Sequence, residues 1–416
     1  MKDTELYAQM LGLKAPWCVS QVALNPLQRS VHVSVVFDAD AQWCCPKCGK
    51  PAPRYDKRVK QWRHLDTMQF RTILEAEVPR VECPEDGISQ VRVPWAEPGS
   101  GFTALFEALV IFWLKHTTTK AVADALELSW NAVDGIAQRA VQRGLARREA
   151  RTPAKISVDE TSFQKRHEYV TLVTDQATGH VLYVADDRKT ESLSRFYEGL
   201  NADQIAAIEA VAMDMWPAYI KATRLGVPDA DAKIAFDKFH VAKALGDGVD
   251  RVRKEEHRAL LAMGDSSLKG TKYQWLYNPS NMTPQQRAAF SLLRDSHLRT
   301  ARAWAMKEQA MDIWRYKSGY WATKAWDYWF SWAQRCRLGP MKKVAAMLKE
   351  HLWGIMNAIV LNVNNGHAES ANARIQRIKA RACGFRNRER FKAAIYFHCG
   401  GLDLMPDGVN QDLLPT

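Results

Sequence analysis

Three separated acids and one cluster of cysteines are the residues in this chain that could do chemistry. Asp159 and Glu160 stand side by side in the apolar run "ISVDETSF", Asp214 ends "IEAVAMD", and Glu369 lies in "NNGHAESANARIQRIKARACGFRNRERFK". A carboxylate in an apolar run is costly unless something pairs with it. Two carboxylates brought together without a cation raise one another's pKa. A pair of Mg²⁺ ions removes that conflict, because hard cations prefer carboxylate oxygens. Two such ions about 3.5–4 Å apart can hold the attacking and leaving oxygens of a phosphate in line. Between Gly366 and Lys392 there are eight Lys or Arg and two acids. An acid in so basic and phosphate-attracting a helix is better explained as a metal ligand than as a surface charge. The reading is therefore a Mg²⁺ site built from Asp159, Asp214 and Glu369. Glu160 would point to the opposite face of its strand from Asp159, which makes it a hydrogen-bonding neighbour, with metal ligation the alternative. Asp237 and His240, in "FDKFH", are expected at the end of a fifth strand, either touching DNA, supporting the site or filling a structural role.

The cysteine cluster suggests a second metal. Cys45 and Cys48 in "CCPKCGK" have the spacing of half a zinc ribbon. The other half should be a second Cys-x-x-Cys, and the chain offers "CPEDG", with Cys83 followed by Asp86 at the fourth position. Cys44 or His64 could stand in after some rearrangement. One weakly held structural Zn²⁺ is expected, and a ribbon that holds together without metal is the alternative.

The elements that must position these groups fall into blocks. Residues 1–98 read as a β-rich module, with strands in "PWCVSQVAL", "SVHVSVVFD", "RTILEAEV" and "ISQVRVPW". The period turns helical over 99–152. Thr118 or Thr119 could cap a short helix and Ser129 the next, the spacing of a helix-turn-helix with a basic continuation through Arg139, Arg143, Arg147, Arg148 and Arg151. Residues 153–242 give three short strands, a helix, a strand ending at Asp214, a helix opened by Pro217 and a fifth strand. That order means a mixed α/β sheet in which strands one and four are parallel neighbours, so Asp159 and Asp214 meet at one edge. Residues 243–350 are all-α in pattern and Trp-rich, residues 351–400 return to long helices, and 401–416 form a tail. Most of the tryptophans should be core, although Trp321, Trp326 or Trp329 could stack on an unpaired base.

Composition sets the partner. The chain of 416 residues is 47% hydrophobic and 25% charged, with net charge +12 and a pI near 9.3. That balance favours a polyanion, and nucleic acid over membrane. No uncharged apolar run reaches the ~18 residues of a membrane span. The N-terminus lacks a signal-peptide pattern, and cysteines are few, so a cytoplasmic protein is expected.

The strings "SVDETSF", "AMDMWPAYI", "FDKFHV" and "AESANARIQRIKARACGFRN", together with the module order, resemble the DDE transposases of bacterial insertion sequences. More narrowly they are similar to the ISL-three (ISL3) family, over roughly Cys45 to Phe397. The resemblance implies an RNase H-like catalytic domain with an all-α insertion, preceded by a zinc-ribbon-like module and a helix-turn-helix. It implies that Asp159, Asp214 and Glu369 are the catalytic triad and that the chain cuts and rejoins the ends of its own element. Asp86 departs from the family's cysteine pattern. On this reading Trp130, Asn131 and Asp134 contact the bases of the terminal inverted repeats. Arg139, Arg143, Arg374, Arg377, Lys379, Arg381, Arg386 and Arg388 hold phosphates of element and target DNA, and the active complex is a homodimer acting at the nucleoid. The alternatives are an RNase H-like nuclease or resolvase without strand transfer, and a DNA-binding regulator with an inactive catalytic domain.

Overall fold

The computed structural model describes residues 2–149, 153–164, 168–277, 281–363 and 366–409. Arg151, the last arginine of the basic continuation, lies outside them. The chain divides into two compact units, the first comprising 1–148, 396–398 and 402–416, the second 149–395 and 399–401.

The first unit begins with a short helix, α1 (Asp3–Met10), and the strands β1 (Trp17–Asn25), β2 (Ser30–Phe37), β3 (Arg54–Thr67), β4 (Phe70–Cys83) and β5 (Gly87–Gln90). Their order is β1-β2-β4-β3, with β5 paired to β4. The alternating valines of β2 and the alternation along β4 bury one face against Trp17, Trp62 and Trp95. Strand β3 went unseen in the sequence, because its first half, "RYDKRVKQ", is mostly exposed and charged and hides the period. Three helices follow, α2 (Ala104–His116), α3 (Thr119–Ala125) and α4 (Trp130–Arg147). Thr118 and Ser129 cap α3 and α4, their hydroxyls accepting from the Ala121 and Ala132 amides at 3.2 and 3.1 Å. Val122, Val133 and Ile136 join Phe106 and Ile111 in a separate core under this trio.

In the second unit β6 (Lys155–Gln164), β7 (Glu168–Asp175) and β8 (Val181–Asp186) form the expected antiparallel meander, followed by α5 (Thr190–Glu198) and α6 (Ala202–Ala206). Then come β9 (Ala210–Met213), α7 (Pro217–Gly226), α8 (Ala230–Lys233) and β10 (Ile234–Phe236). The sheet order is β10-β9-β6-β7-β8, and β6, β9 and β10 are parallel. Helices α9 (Lys238–Ala262), α10 (Lys272–Leu276), α11 (Pro284–Arg294), α12 (Arg299–Asp312), α13 (Gly319–Arg335) and α14 (Gly339–Glu350) follow, and then α15 (Leu352–Val360), α16 (Gly366–Arg381) and α17 (Arg388–Cys399). The helical stretch opens at Lys238 rather than 243. His240 is therefore a helix residue, because Asp237 ends β10 and caps α9 by accepting the Phe239 amide at 3.1 Å. One core joins the inner face of this sheet to the tryptophans of the helices. No helix among the described residues is long and apolar enough to cross a membrane.

Candidate functional site

Register brings the acids of the sheet to one level. Ser157 pairs with Ala212, and two residues further along these parallel strands stand Asp159 and Asp214. Met213 pairs with Phe236, and the next residues are Asp214 and Asp237, whose amide donates to the Met213 carbonyl at 2.9 Å. Asp159, midway along β6, and Asp214 and Asp237, directly after β9 and β10, thus stand level across three neighbouring strands.

Burial and crowding leave these carboxylates reluctant to ionise. Asp159 is pushed up to about 7, by burial first and then by the charges of Glu160, Asp214 and Asp237, against the Glu160 amide that donates to its Oδ1 at 2.8 Å. Asp214 is raised chiefly by burial and also by Asp237, with the Trp216 amide at 3.1 Å and Arg188 opposing. Glu160 is raised by burial and by Asp214, and Arg188 and His240 pull the other way. Its Oε2 is buried and has no hydrogen-bond partner. A polar atom left so, among acids that repel one another, is what a cation would satisfy.

Helix α16 carries Glu369 and lies against β6. Asn372 Nδ2 donates to Asp159 Oδ2 at 2.6 Å, Gln376 to the Thr161 hydroxyl at 2.7 Å, and the Lys379 ammonium to the Ser162 carbonyl at 2.9 Å. Side chains three and four residues apart on a helix share one face, so this stripe faces the strand. Glu369, three residues before Asn372, is exposed. Its pKa is raised by slight burial and by Asp237, with His240 opposing. The three expected metal ligands are not drawn into one tight set. Among the described residues, the group of His, Cys or acid ligands within 4.8 Å of one another is Cys45, Cys48, Cys83 and Asp86. Asp237 belongs with the acids more closely than the sequence suggested, and its helix-capping role hid its place in the register. Asn372 was missed because no spacing pattern marks an amide that meets an acid more than two hundred residues away.

In the first unit the second metal candidate is compact. Cys45 Sγ lies 3.3 Å from Asp86 Oδ2, Cys48 Sγ 3.6 Å from Cys83 Sγ, and Cys83 Sγ 3.8 Å from Asp86 Oδ2. The backbone amides of Asp86 and Glu85 lower the Cys83 pKa, whereas Cys48, against the Lys50 backbone, is pushed up to about 11 by burial and by Cys83, Cys45 and Asp86, so an ion bound here would displace a proton. Three sulfurs and one carboxylate at these separations fit a tetrahedral zinc. Cys44 is exposed and outside the group, and His64 is buried beside Thr103, so neither substitutes for Asp86.

The expected DNA contacts separate into two kinds. Asn131 is exposed and Trp130 is 39% exposed in the first turn of α4, whereas Asp134 accepts from Gln138 Nε2 at 2.7 Å. Arg139 and Arg143 instead turn inward to Glu107, a residue only 1% exposed. Arg143, its side chain 8% exposed, also binds Glu97 at 2.6 Å. A buried carboxylate left alone would be strongly destabilising, and that need explains why these arginines are held inside. In the second unit, Arg374 donates to the Gly179 carbonyl at 3.2 Å, Lys379 is held by Ser162, and Arg388 pairs with Glu168 at 3.1 Å. Arg377, Arg381 and Arg386 are exposed. Of the three tryptophans considered for base stacking, Trp326 and Trp329 are core, the latter donating to the Met306 carbonyl at 2.8 Å, and Trp321 is 59% exposed.

Comparison with known proteins agrees with this architecture. A family profile described as a transposase of the DDE ISL3 type matches residues 156–395. The helix-turn-helix domain of transposase family ISL3 matches 91–141, and the zinc-finger of transposases IS204, IS1001, IS1096 and IS1165 matches 41–86. The transposase for insertion sequence element IS1557 of Mycobacterium tuberculosis is 31% identical over 376 residues, 82% of each chain. The transposase for insertion sequence element IS1001 of Bordetella parapertussis is 26% identical over 352 residues, 83% of this chain and 86% of the other. With its catalytic sheet, its helix-turn-helix and its cysteine knuckles all matched, the chain belongs to the ISL3 family of insertion-sequence transposases.

Proposed function

We propose that this transposase does its phosphodiester chemistry at the acid cluster, with Asp159, Asp214 and Glu369 as the catalytic acids and Mg²⁺ as their metal. One observation carries the reading: Asp159 and Asp214 stand level on adjacent parallel strands, and the helix bearing Glu369 is hydrogen-bonded to Asp159. Bound there, Mg²⁺ would supply the positive charge and the activated oxygen nucleophile that phosphoryl transfer needs. The chain's own residues do the rest. Asp159 and Asp214, fixed by the Glu160 and Trp216 amides, present oxygens in a set geometry. Glu369 sits in the first turn of α16, three residues before the Asn372 amide that holds Asp159. We read the sheet and its helices as RNase H-like, on the strand order β10-β9-β6-β7-β8, with the helices from α9 to α14 as its insertion.

Base contacts of the terminal inverted repeats fall to the N-terminal turn of α4, through Trp130 and Asn131, which are exposed there. Phosphate contacts fall to the exposed Arg377, Arg381 and Arg386. Zinc held by Cys45, Cys48, Cys83 and Asp86 keeps the ribbon module folded. Both element ends must be brought together for transfer, so the active complex is a homodimer.

The test uses DNA carrying the inverted repeats that flank the gene, Mg²⁺ and the full-length protein, with cleavage positions mapped on each strand. Asp159→Asn, Asp214→Asn and Glu369→Gln should each slow cleavage by a factor on the order of 10³ or more while end binding persists. Normal cleavage by any one of them removes that residue from the triad.

A further inference from the structure

Arg188 follows β8 at the mouth of the acid cluster, and the structure fixes it from several sides. Asp187, in the left-handed region at φ 56°, donates its amide to the Tyr169 carbonyl at 3.0 Å, and its own carbonyl accepts from the Thr171 hydroxyl at 2.6 Å. Asp187 Oδ1 accepts from the Lys189 amide at 2.9 Å and the Ser192 hydroxyl at 2.6 Å. The Arg188 carbonyl accepts from Trp216 Nε1 at 3.0 Å. Backbone on both sides of the side chain is thereby tied to β7 and to the loop that carries Asp214.

The guanidinium is fixed as well. Its central carbon lies 4.4 Å from the centroid of the Trp216 ring and 4.7 Å from that of Tyr169, a placement that holds a cation by its attraction to two π faces. Its ion-pair partner among the described residues is Glu160, at 3.6 Å from Nη1, and the side chain stays 35% exposed. That distance is too long for a strong charge-assisted hydrogen bond, which spans about 2.7–2.9 Å. Several other basic residues near this sheet are engaged elsewhere: Lys379 on Ser162, Arg374 on Gly179, Arg388 and Lys392 on Glu168 and Asp186, and Lys189 on Asp187. Arg188 is pre-positioned beside Asp214 and Glu160, weakly paired and open to solvent.

We propose that Arg188 is a substrate-contacting residue whose guanidinium binds the phosphate of the DNA strand lying in the acid cluster, with Glu160 holding it in the DNA-free protein. This rests on the acid cluster being the reacting site. A planar fork of N–H donors matches the two non-bridging oxygens of a phosphodiester, and a strand entering among several carboxylates needs a fixed positive charge to offset their repulsion. The pairing with Glu160 is loose, and the two rings keep the fork in place while a phosphate replaces it.

The experiment compares the full-length protein with its Arg188→Ala and Arg188→Lys variants on element-end DNA with Mg²⁺. A second set of substrates carries one neutral methylphosphonate, placed in turn at the scissile phosphate and at its neighbours. Arg188→Ala should slow cleavage by a factor on the order of 10², the loss typical of one preorganised charge-stabilising donor, and Arg188→Lys should recover part of it. End binding and melting temperature should hold. At one phosphate position the neutral substitution should slow the wild type and add nothing further to the slow Arg188→Ala variant. Equal slowing of both proteins at every position would mean that Arg188 only props up Trp216 and Glu160, and wild-type cleavage by Arg188→Ala would overturn the proposal outright. If Arg188→Ala folds poorly, Arg188→Lys carries the same substrate comparison. Loss of cleavage in the acid variants with normal cleavage in Arg188→Ala sinks only this inference, whereas active acid variants sink the site itself.

Discussion

At position 64 a histidine is buried beside the cap of α2. Its Nδ1 lies 2.9 Å from the Thr103 hydroxyl, which also accepts the Phe106 amide. Burial first, and Arg63 second, push the His64 pKa down to about 4, with Asp66 acting the other way. In the unfolded chain the ring titrates near 6.5, so between about pH 6.5 and 4 the unfolded state binds a proton that the folded state refuses. Stability must therefore fall as pH falls through that window, by up to about 3 kcal/mol from this one group. Denaturant unfolding at a series of pH values should show the loss, and His64→Gln should flatten it; an unchanged slope would mean that other groups cause the acid sensitivity. The same balance explains which residues were legible in the sequence. Asp159 and Asp214 stood out because a charge in an apolar run is conspicuous. Glu107 did not, and His64 drew notice only as a stand-in zinc ligand, since what makes each unusual is a partner brought in by folding.

Among the elements, α2 and α4 are joined by a charged contact inside their core. Glu107 accepts from the Ser100 hydroxyl at 2.7 Å and from Arg143 at 3.3 Å, and Arg139 completes the set. Removing the acid leaves Arg143 on Glu97 and strips the 30%-exposed Arg139 of its partner, so Glu107→Ala should destabilise the first unit by about 1–3 kcal/mol. Calorimetry would read this as a lower first transition, and a change below about 1 kcal/mol would show that the arginines reach solvent without cost. The caps of α3 and α4 and the meander of β6–β8 could be read from the sequence, because caps, turns and alternation are local signals. Strand β3 could not, because a charged strand is recognised only by its partner, and that partner, β4, buries the shared face through its own side chains.

For the molecule as a whole, the cysteine group, with Cys45 and Cys83 buried and Cys48 and Asp86 half-buried, is where metal supply would act. Protein purified without chelator should carry close to one zinc per chain by metal analysis, and chelation should lower the transition of the first unit alone. A content well below half would favour a ribbon that folds without metal. Asp86→Cys should hold the ion more tightly, since thiolate suits zinc better than a fourth-position carboxylate. Strand β3 adds a consequence of another kind. It lies at the end of its sheet, and Lys57, Arg58 and Lys60 run along its exposed first half. A bare strand edge invites a second copy to add a strand and begin an aggregate, and like charges along it are how natural sheets prevent that. The pattern that hid β3 from a reading of the sequence therefore also sets like charges where a second copy would have to add its strand.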